Sequence, residues 1–374
     1  MKPAGPALLL TAVLLLTACG GRNRQPAAAG DTLAFRHATL LRVSQRAGYA
    51  LAEVADPWHE GRTLRRYVLV PRGSALPPHL PEGTLVRTPV KRAAVLSTVH
   101  AGLLFELGCG GAVAAICDLR YSLLPALHSA VAGGRTADAG SSMKPDAERI
   151  VAAGAEALLV SPFENAGYGT LERLGVPLIE CADYMERSAL GRAEWMRFYG
   201  LLFGCPERAD SLFATVEAGY GALSRLTQGV RRRPRLLVDR KEGAVWFVPA
   251  GRSAPAGLYA DAGADYLFAR TPGSGSAQLS FETVFAQGRE ADVWLIKYGS
   301  PANLTYASLA GEQAAYRSLR PWKERHVYAC NTLQAPFYEE TPFHPDRLLA
   351  DFIKIFHPRL LPGHRLRYYH PLED

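Results

Sequence analysis

The chain has 374 residues, 48% of them hydrophobic and 21% charged, and its 42 Lys and Arg exceed its 35 Asp and Glu for a formal net charge of +7. This composition excludes a disordered or fibrous chain and leaves length for two ordinary domains with real cores. The densest basic cluster, Arg231-Arg232-Arg233, runs straight into Pro234 and a strand-like stretch, so it reads as a solvated linker and not as a nucleic-acid surface.

In chain order, Lys2 precedes an apolar run over residues 7–18 that closes on "LTACGG". A membrane-spanning helix needs about 20 apolar residues. A shorter run with a basic start and a small-residue end has the order of a secretory signal. The cysteine directly after Leu16-Thr17-Ala18 resembles the lipobox of bacterial lipoproteins. That resemblance implies removal of residues 1–18, with the lipid on Cys19, and a chain held in the cell envelope facing the periplasm. Residues 19–30 are then the lipidated cysteine and a small, polar tether. Five further cysteines, Cys109, Cys117, Cys181, Cys205 and Cys330, show no CxxC spacing. Their odd number leaves at least one without an internal partner, and the sequence specifies no pairing.

Residues 31–90 alternate short β-like runs with Pro and Gly, which predicts a small antiparallel addition. Over residues 91–203 the pattern changes to strand–helix alternation. "RAAVLS", "GAVAAICD", "EALLVS" and "VPLIECAD" read as strands, and "HAGLLFELGCG", "DAERIVAAGA" and "YGTLERLG" as helices between them. Such alternation predicts βαβ units and a parallel sheet. "GRAEWMRFYGLLFG" reads as one helix. A longer one follows within 204–230, from Pro206 to about Gln228, with Leu212, Val216, Tyr220, Leu223 and Leu226 on one stripe. Strand–helix alternation then resumes over 231–374. "ERIVAAGAEALLV" from Glu148 and "ETVFAQGREADVWLI" from Glu282 share Glu, Gly, Glu and Ala at matching offsets, which suggests two lobes of similar plan.

"VLSTVHAGLLFELG", "KPDAERIVAAGAEALLVS" and "YGTLERLGVPLIE", in this order, resemble a class III periplasmic substrate-binding protein of ABC importers. This is the type that carries cobalamin, ferric siderophores or haem. The resemblance spans about residues 91–356. It implies an α/β fold of two Rossmann-like lobes bridged by a single long rigid helix, with the ligand in the cleft between the lobes. It also implies no cofactor of the protein's own, a metal chelate as ligand, a monomeric state, and a permease and ATPase complex as partner. In that family one surface Glu on each lobe meets arginines of the membrane subunits. "DAERI" and "SFETV" place that role on Glu148 and Glu282, although an acid in a first helical turn is also favoured by the macrodipole, by about 0.3–1 kcal/mol.

Ligands in open α/β sheets bind beyond the carboxyl ends of the strands. The segments at those ends place His100, Tyr121, Phe163, Tyr168 and Tyr184 in the first lobe's share of the cleft. They place Lys241, Trp246, Phe247, Phe337 and Tyr338 in the second lobe's. Aromatic walls suit a large planar or caged complex, and about half of these rings are expected in cores instead. Two rival readings are a direct zinc or manganese binder and an exported chelatase-like or hydrolytic enzyme. Against the first, His100 and His344 stand far apart, with no His-rich loop and no close His pair at metal spacing. The second lacks a G-x-S-x-G elbow and an H-E-x-x-H helix, and "GSGSAQ" lacks the Lys-Ser/Thr of a phosphate loop.

Overall fold

The computed structural model describes residues 32–374. The proposed signal peptide, Cys19 and its tether lie outside the described residues. No helix among the described residues is long and apolar enough to cross a membrane.

The first five strands, Thr32–Leu33, Leu41–Arg46, Tyr49–Ala55, Thr63–Pro71 and Thr84–Thr88, form one sheet in chain order. All pairs are antiparallel except the last, which is parallel. Tyr49–Ala55 alternates buried and part-buried residues, as a strand with one covered face should. Its inward Ala50, Ala52 and Val54 join Val43, Tyr67, Leu69 and Val86 in the same core as Phe198 and Leu202 of the next lobe. The addition is thus fused to the first lobe through a common interior.

That lobe carries a wholly parallel sheet in the order Leu178–Glu180, Ala157–Val160, Ala93–Val95, Val113–Ile116, Ala137–Asp138. Ala93–Val95 and Ala157–Val160 are buried along their whole length, as parallel strands covered on both faces require. The second lobe orders Asp265–Tyr266, Arg235–Val238, Val293–Tyr298 and Val327–Asn331 in parallel, with His370–Pro371 antiparallel at the edge. The two repeated helix–strand units occupy equivalent places. Ala157–Val160 and Val293–Tyr298 each pair with the first parallel strand of their lobe.

Two local expectations change. "GRAEWMRFYGLLFG" is two helices, Ala189–Glu194 and Met196–Phe203, broken at Trp195. "YGTLERLG" winds as a 3-10 turn, Gly169–Leu174, too short for a full α-helix.

The strut is one helix of 22 residues, Pro206–Thr227, about 33 Å long at 1.5 Å per residue. Pro206 opens it where its missing N–H costs nothing. Its buried stripe is Ala209, Phe213, Val216, Tyr220 and Thr227, with Leu212 and Leu223 only flanking it and Leu226 41% exposed. Phe213 and Val216 enter the first lobe's core and Tyr220 the second's, so bending the strut would open both. A second crossing accompanies it. Phe343, from the second lobe, lies in the first lobe's core, and the His344 Nε2 is 2.8 Å from Glu106 of the first.

Candidate functional site

A cavity of about 850 Å³ opens between the lobes. Every part of its wall follows the carboxyl end of a parallel strand or the small hairpin beside one. Ala93–Val95 leads into Leu96–Ser97 and the helix Thr98–Glu106, whose N-cap Ser97 accepts from the Val99 N–H. Val113–Ile116 leads to Asp118 and Tyr121. Asp118 takes a left-handed backbone, φ 56°, and its N–H donates to the Gly140 carbonyl at 2.7 Å. Its carboxylate accepts from Ser142, which fixes the hairpin carrying Met143 over the cavity. Ala157–Val160 leads to Ser161, Phe163 and Tyr168. From the second lobe, Val293–Tyr298 supplies Gly299, and Val327–Asn331 supplies Thr332, Leu333 and the stretch from Ala335 to Glu339.

The wall is apolar and aromatic. Tyr121, Leu123, Met143, Phe163 and Tyr338, five of the ten large apolar side chains exposed among the described residues, converge on this one space. Exposed apolar surface gathered in a concavity marks a binding site. Phe337 is 9% exposed and packs edge-on to Tyr338, Tyr368 and Tyr369, so it anchors Tyr338 from the core. The Lys297 ammonium stands 5.3 Å from the Phe337 ring and 5.7 Å from that of Tyr338. Burial pulls the Lys297 pKa down, but Tyr338 and Asp239 outweigh it and hold the amine above its usual value. A cation therefore sits behind the aromatic wall. Burial and the neighbouring Glu180 carboxylate raise the Tyr168 hydroxyl, so Tyr168 remains a donor. Burial raises Glu180 in turn, against the opposing pull of Arg65 at 3.2 Å from the N-terminal sheet.

Glu339 closes the rim across the lobes. Its carboxylate accepts from the Leu123 N–H at 3.0 Å and from the Ser122 hydroxyl. The same residue's backbone lies against Gly102, where a side chain's Cβ would stand 3.0 Å from the Glu339 carbonyl oxygen. Among the described residues, the charged side chains in the wall apart from Glu339 are Asp118 and Lys144, and no His, Cys or Arg lines it.

Of the ten residues expected here, Tyr121, Phe163, Tyr168, Phe337 and Tyr338 are in the wall. The other five are not. His100 is 4% exposed and turned into the first lobe, where its Nε2 is 2.8 Å from Asp183. Tyr184 stands behind Phe163, ring centroids 6.3 Å apart, and donates its hydroxyl to the Pro162 carbonyl. Lys241, Trp246 and Phe247 belong to a separate antiparallel sheet, Lys241–Glu242, Val245–Pro249 and Ser276–Ser280. Asp239, φ 56°, turns the chain away before the parallel strand can present them to the cleft. Trp246 points inward, fully buried, donating Nε1–H to the Val238 carbonyl at 2.9 Å, and Phe247 points outward. Met143, Leu123 and Pro336 were missed, because nothing in their local sequence distinguishes them from loop residues. Glu148 and Glu282 are both exposed in first helical turns, capped by Asp146 and Ser280. Neither forms an ion pair among the described residues.

The comparisons agree with this geometry. Residues 94–332 match the periplasmic binding protein family. An uncharacterized lipoprotein of Methanocaldococcus jannaschii is 22% identical over 297 residues, 76% of this chain and 69% of its own. The fold is similar to a molybdate periplasmic binding protein from Haemophilus influenzae, with TM-score 0.59 and 13% identity over 74% of this chain and 89% of that one. It is also similar to a periplasmic vitamin B12 binding protein of Vibrio cholerae, with TM-score 0.53 and 14% identity over 71% and 98%. The chain belongs to the periplasmic binding protein family, and it shares the fold of these solved binding proteins.

Proposed function

We propose that the protein captures a metal chelate, a ferric siderophore, cobalamin or haem, in the inter-lobe cavity and delivers it to an ABC importer. The carrying observation is the convergence of five exposed apolar side chains on one cavity of about 850 Å³. That volume is at the upper end of the roughly 300–1,000 Å³ of small-molecule sites. Flat aromatic surface buries the organic periphery of a chelate with little entropy loss. A bare metal ion is served less well: among the described residues no three His, Cys, Asp or Glu side chains gather to hold one.

The test is a titration of the purified protein with haemin, cyanocobalamin, a ferric hydroxamate and a ferric catecholate, followed by absorption and tyrosine fluorescence. One of these is expected to bind at micromolar affinity or better. Tyr338→Ala and Phe163→Ala are each expected to weaken it by about 2 kcal/mol, while Phe247→Ala, away from the cavity, leaves it unchanged. Equal affinity in all three variants places the site elsewhere.

The importer complex would recognise Glu148 and Glu282. Glu148→Arg with Glu282→Arg is expected to keep ligand affinity and abolish uptake in a reconstituted importer, with strong salt dependence in the wild type. Normal uptake by the double variant leaves the two acids as helix-dipole partners only. Lipid on Cys19 would hold the protein at the membrane beside its importer. Fatty-acid labelling is expected in the wild type and absent in Cys19→Ser, and labelled Cys19→Ser rejects the anchor.

A further inference from the structure

The five cysteines of the described residues sort into two kinds. Cys117, Cys181 and Cys330 are buried in three different cores. Cys109 and Cys205 are only part-buried, 96 residues apart in sequence, and their sulfurs stand 2.9 Å from each other. Both are held where they are by the backbone. The Cys109 N–H donates to the Leu104 carbonyl at 2.8 Å, and the Cys205 N–H to the Gly200 carbonyl at 2.8 Å. Arg208, in the strut's first turn, donates to the Glu106 carbonyl at 2.6 Å and fastens the same two segments together beside the sulfurs. A bond formed here would need little rearrangement.

We propose that Cys109 and Cys205 form a disulfide in the exported protein, tying the end of the cavity helix Thr98–Glu106 to the start of the strut. The inference rests on the exported, envelope-facing reading, since disulfides persist in such a compartment and not in a reducing cytosol. The oxidant is a dithiol carrier in its disulfide form. One cysteine, as thiolate, attacks a carrier sulfur to give a mixed disulfide, and the other displaces the carrier. The two protein thiols lose two electrons and two protons, and the carrier leaves with two thiols. Cys109 and Cys205 are part-exposed residues open to a carrier, whereas the three buried cysteines are shielded and remain free thiols. The bond would brace the helix whose first turn lines the cavity, at the point where the strut begins.

The test uses cells expressing the full chain, acid-quenched and alkylated with N-ethylmaleimide before fractionation. Peptides from the envelope fraction are mapped by mass spectrometry with and without reduction. A linked Cys109–Cys205 peptide, two hydrogens lighter than its parts, is expected, with Cys117, Cys181 and Cys330 as thiols. Protein present in the envelope with both cysteines alkylated overturns the disulfide alone. Protein absent from the envelope overturns the export reading and the disulfide with it. Reduction is expected to lower the wild-type melting midpoint by about 5–10 °C and to leave Cys109→Ser and Cys205→Ser unmoved. A wild-type midpoint unaffected by reductant overturns the brace. Chelate affinity, measured in parallel, reports separately on the proposed ligand.

Discussion

Glu194→Ala is expected to destabilise the protein by about 3 kcal/mol, from three amides that lose a charged acceptor, and to loosen the N-terminal sheet. The Glu194 side chain is fully buried. It accepts the backbone N–H of Arg36 at 2.9 Å, of His37 at 2.8 Å and of Ala38 at 2.9 Å. Glu186 takes the next two, Thr39 at 3.0 Å and Leu40 at 2.9 Å, together with the Trp195 indole N–H at 3.0 Å. Two carboxylates thus hold five consecutive amides that no strand or helix satisfies, just before Leu41–Arg46 begins. Truncation removes the acceptor of three amides, that of Ala38 buried and those of Arg36 and His37 part-buried. Glu217→Gln is the control, because that carboxylate meets Arg36 and His37 near the surface, where such pairs contribute about 0–1 kcal/mol. Urea unfolding compares the two, and amide hydrogen exchange at residues 36–46 reads the release directly. An effect no larger than that of Glu217→Gln would show that the segment is held by its packing instead. Ligand affinity is expected to fall with Glu194→Ala, since Arg65 of the loosened sheet supports Glu180 beside Tyr168.

How much of this was legible in the sequence depends on the range of the forces involved. The parallel strands and the strut carry their signal locally, as apolar runs and a period near 3.6, and "RAAVLS", "GAVAAICD", "EALLVS" and "VPLIECAD" each contain the strand they suggest. The strut's stripe was read correctly at Val216 and Tyr220, but the buried face continues through Ala209, Phe213 and Thr227 at helical spacings, while Leu212, Leu223 and Leu226 sit beside it because the apolar residues spread wider than one face. Which residues reach the cavity is a longer-range matter. Tyr121, Phe163, Tyr168, Phe337 and Tyr338 follow from the strand-end rule. Trp246 and Phe247 follow a strand too, but Asp239 diverts the chain into a second sheet, and a left-handed Asp has no sequence mark. The buried acceptors were invisible for the same reason. Glu186 and Glu194 carry no local mark of burial, and only the fold brings residues 36–40 to them.

The largest single-site effect is expected at Asp183, whose side chain is 1% exposed. One oxygen accepts from the His100 ring at 2.8 Å and the Tyr199 hydroxyl at 2.9 Å, and the other from the Arg192 guanidinium at 3.0 Å. Burial alone would raise the carboxyl pKa. His100, Arg192 and Tyr199 outweigh it and hold the group at about 2. Asp183→Ala removes the shared acceptor and leaves the buried His100 ring and the part-buried Arg192 guanidinium without their anion, a loss of about 3–5 kcal/mol. Asp183→Asn keeps the shape but not the charge, so it isolates the electrostatic part. The sign follows from the depressed pKa. The unfolded chain, near the ordinary value of 3.8, takes up the proton before the folded one does. The stabilisation is therefore complete above about pH 4 and lost as pH falls towards 2, so the gap between wild type and Asp183→Asn narrows across that window. Urea unfolding at pH 5, 4, 3 and 2 measures it, and a gap constant over the series would show that Asp183 is not the anion that holds the cluster. The consequence extends to the cleft. Phe343 of the second lobe packs on both His100 and Tyr199, ring centroids 6.4 and 6.0 Å away, and His100 belongs to the helix whose first turn lines the cavity. Losing the anion frees the ring that seats the second crossing, so Asp183→Ala is expected to weaken binding in the cavity although Asp183 does not line it.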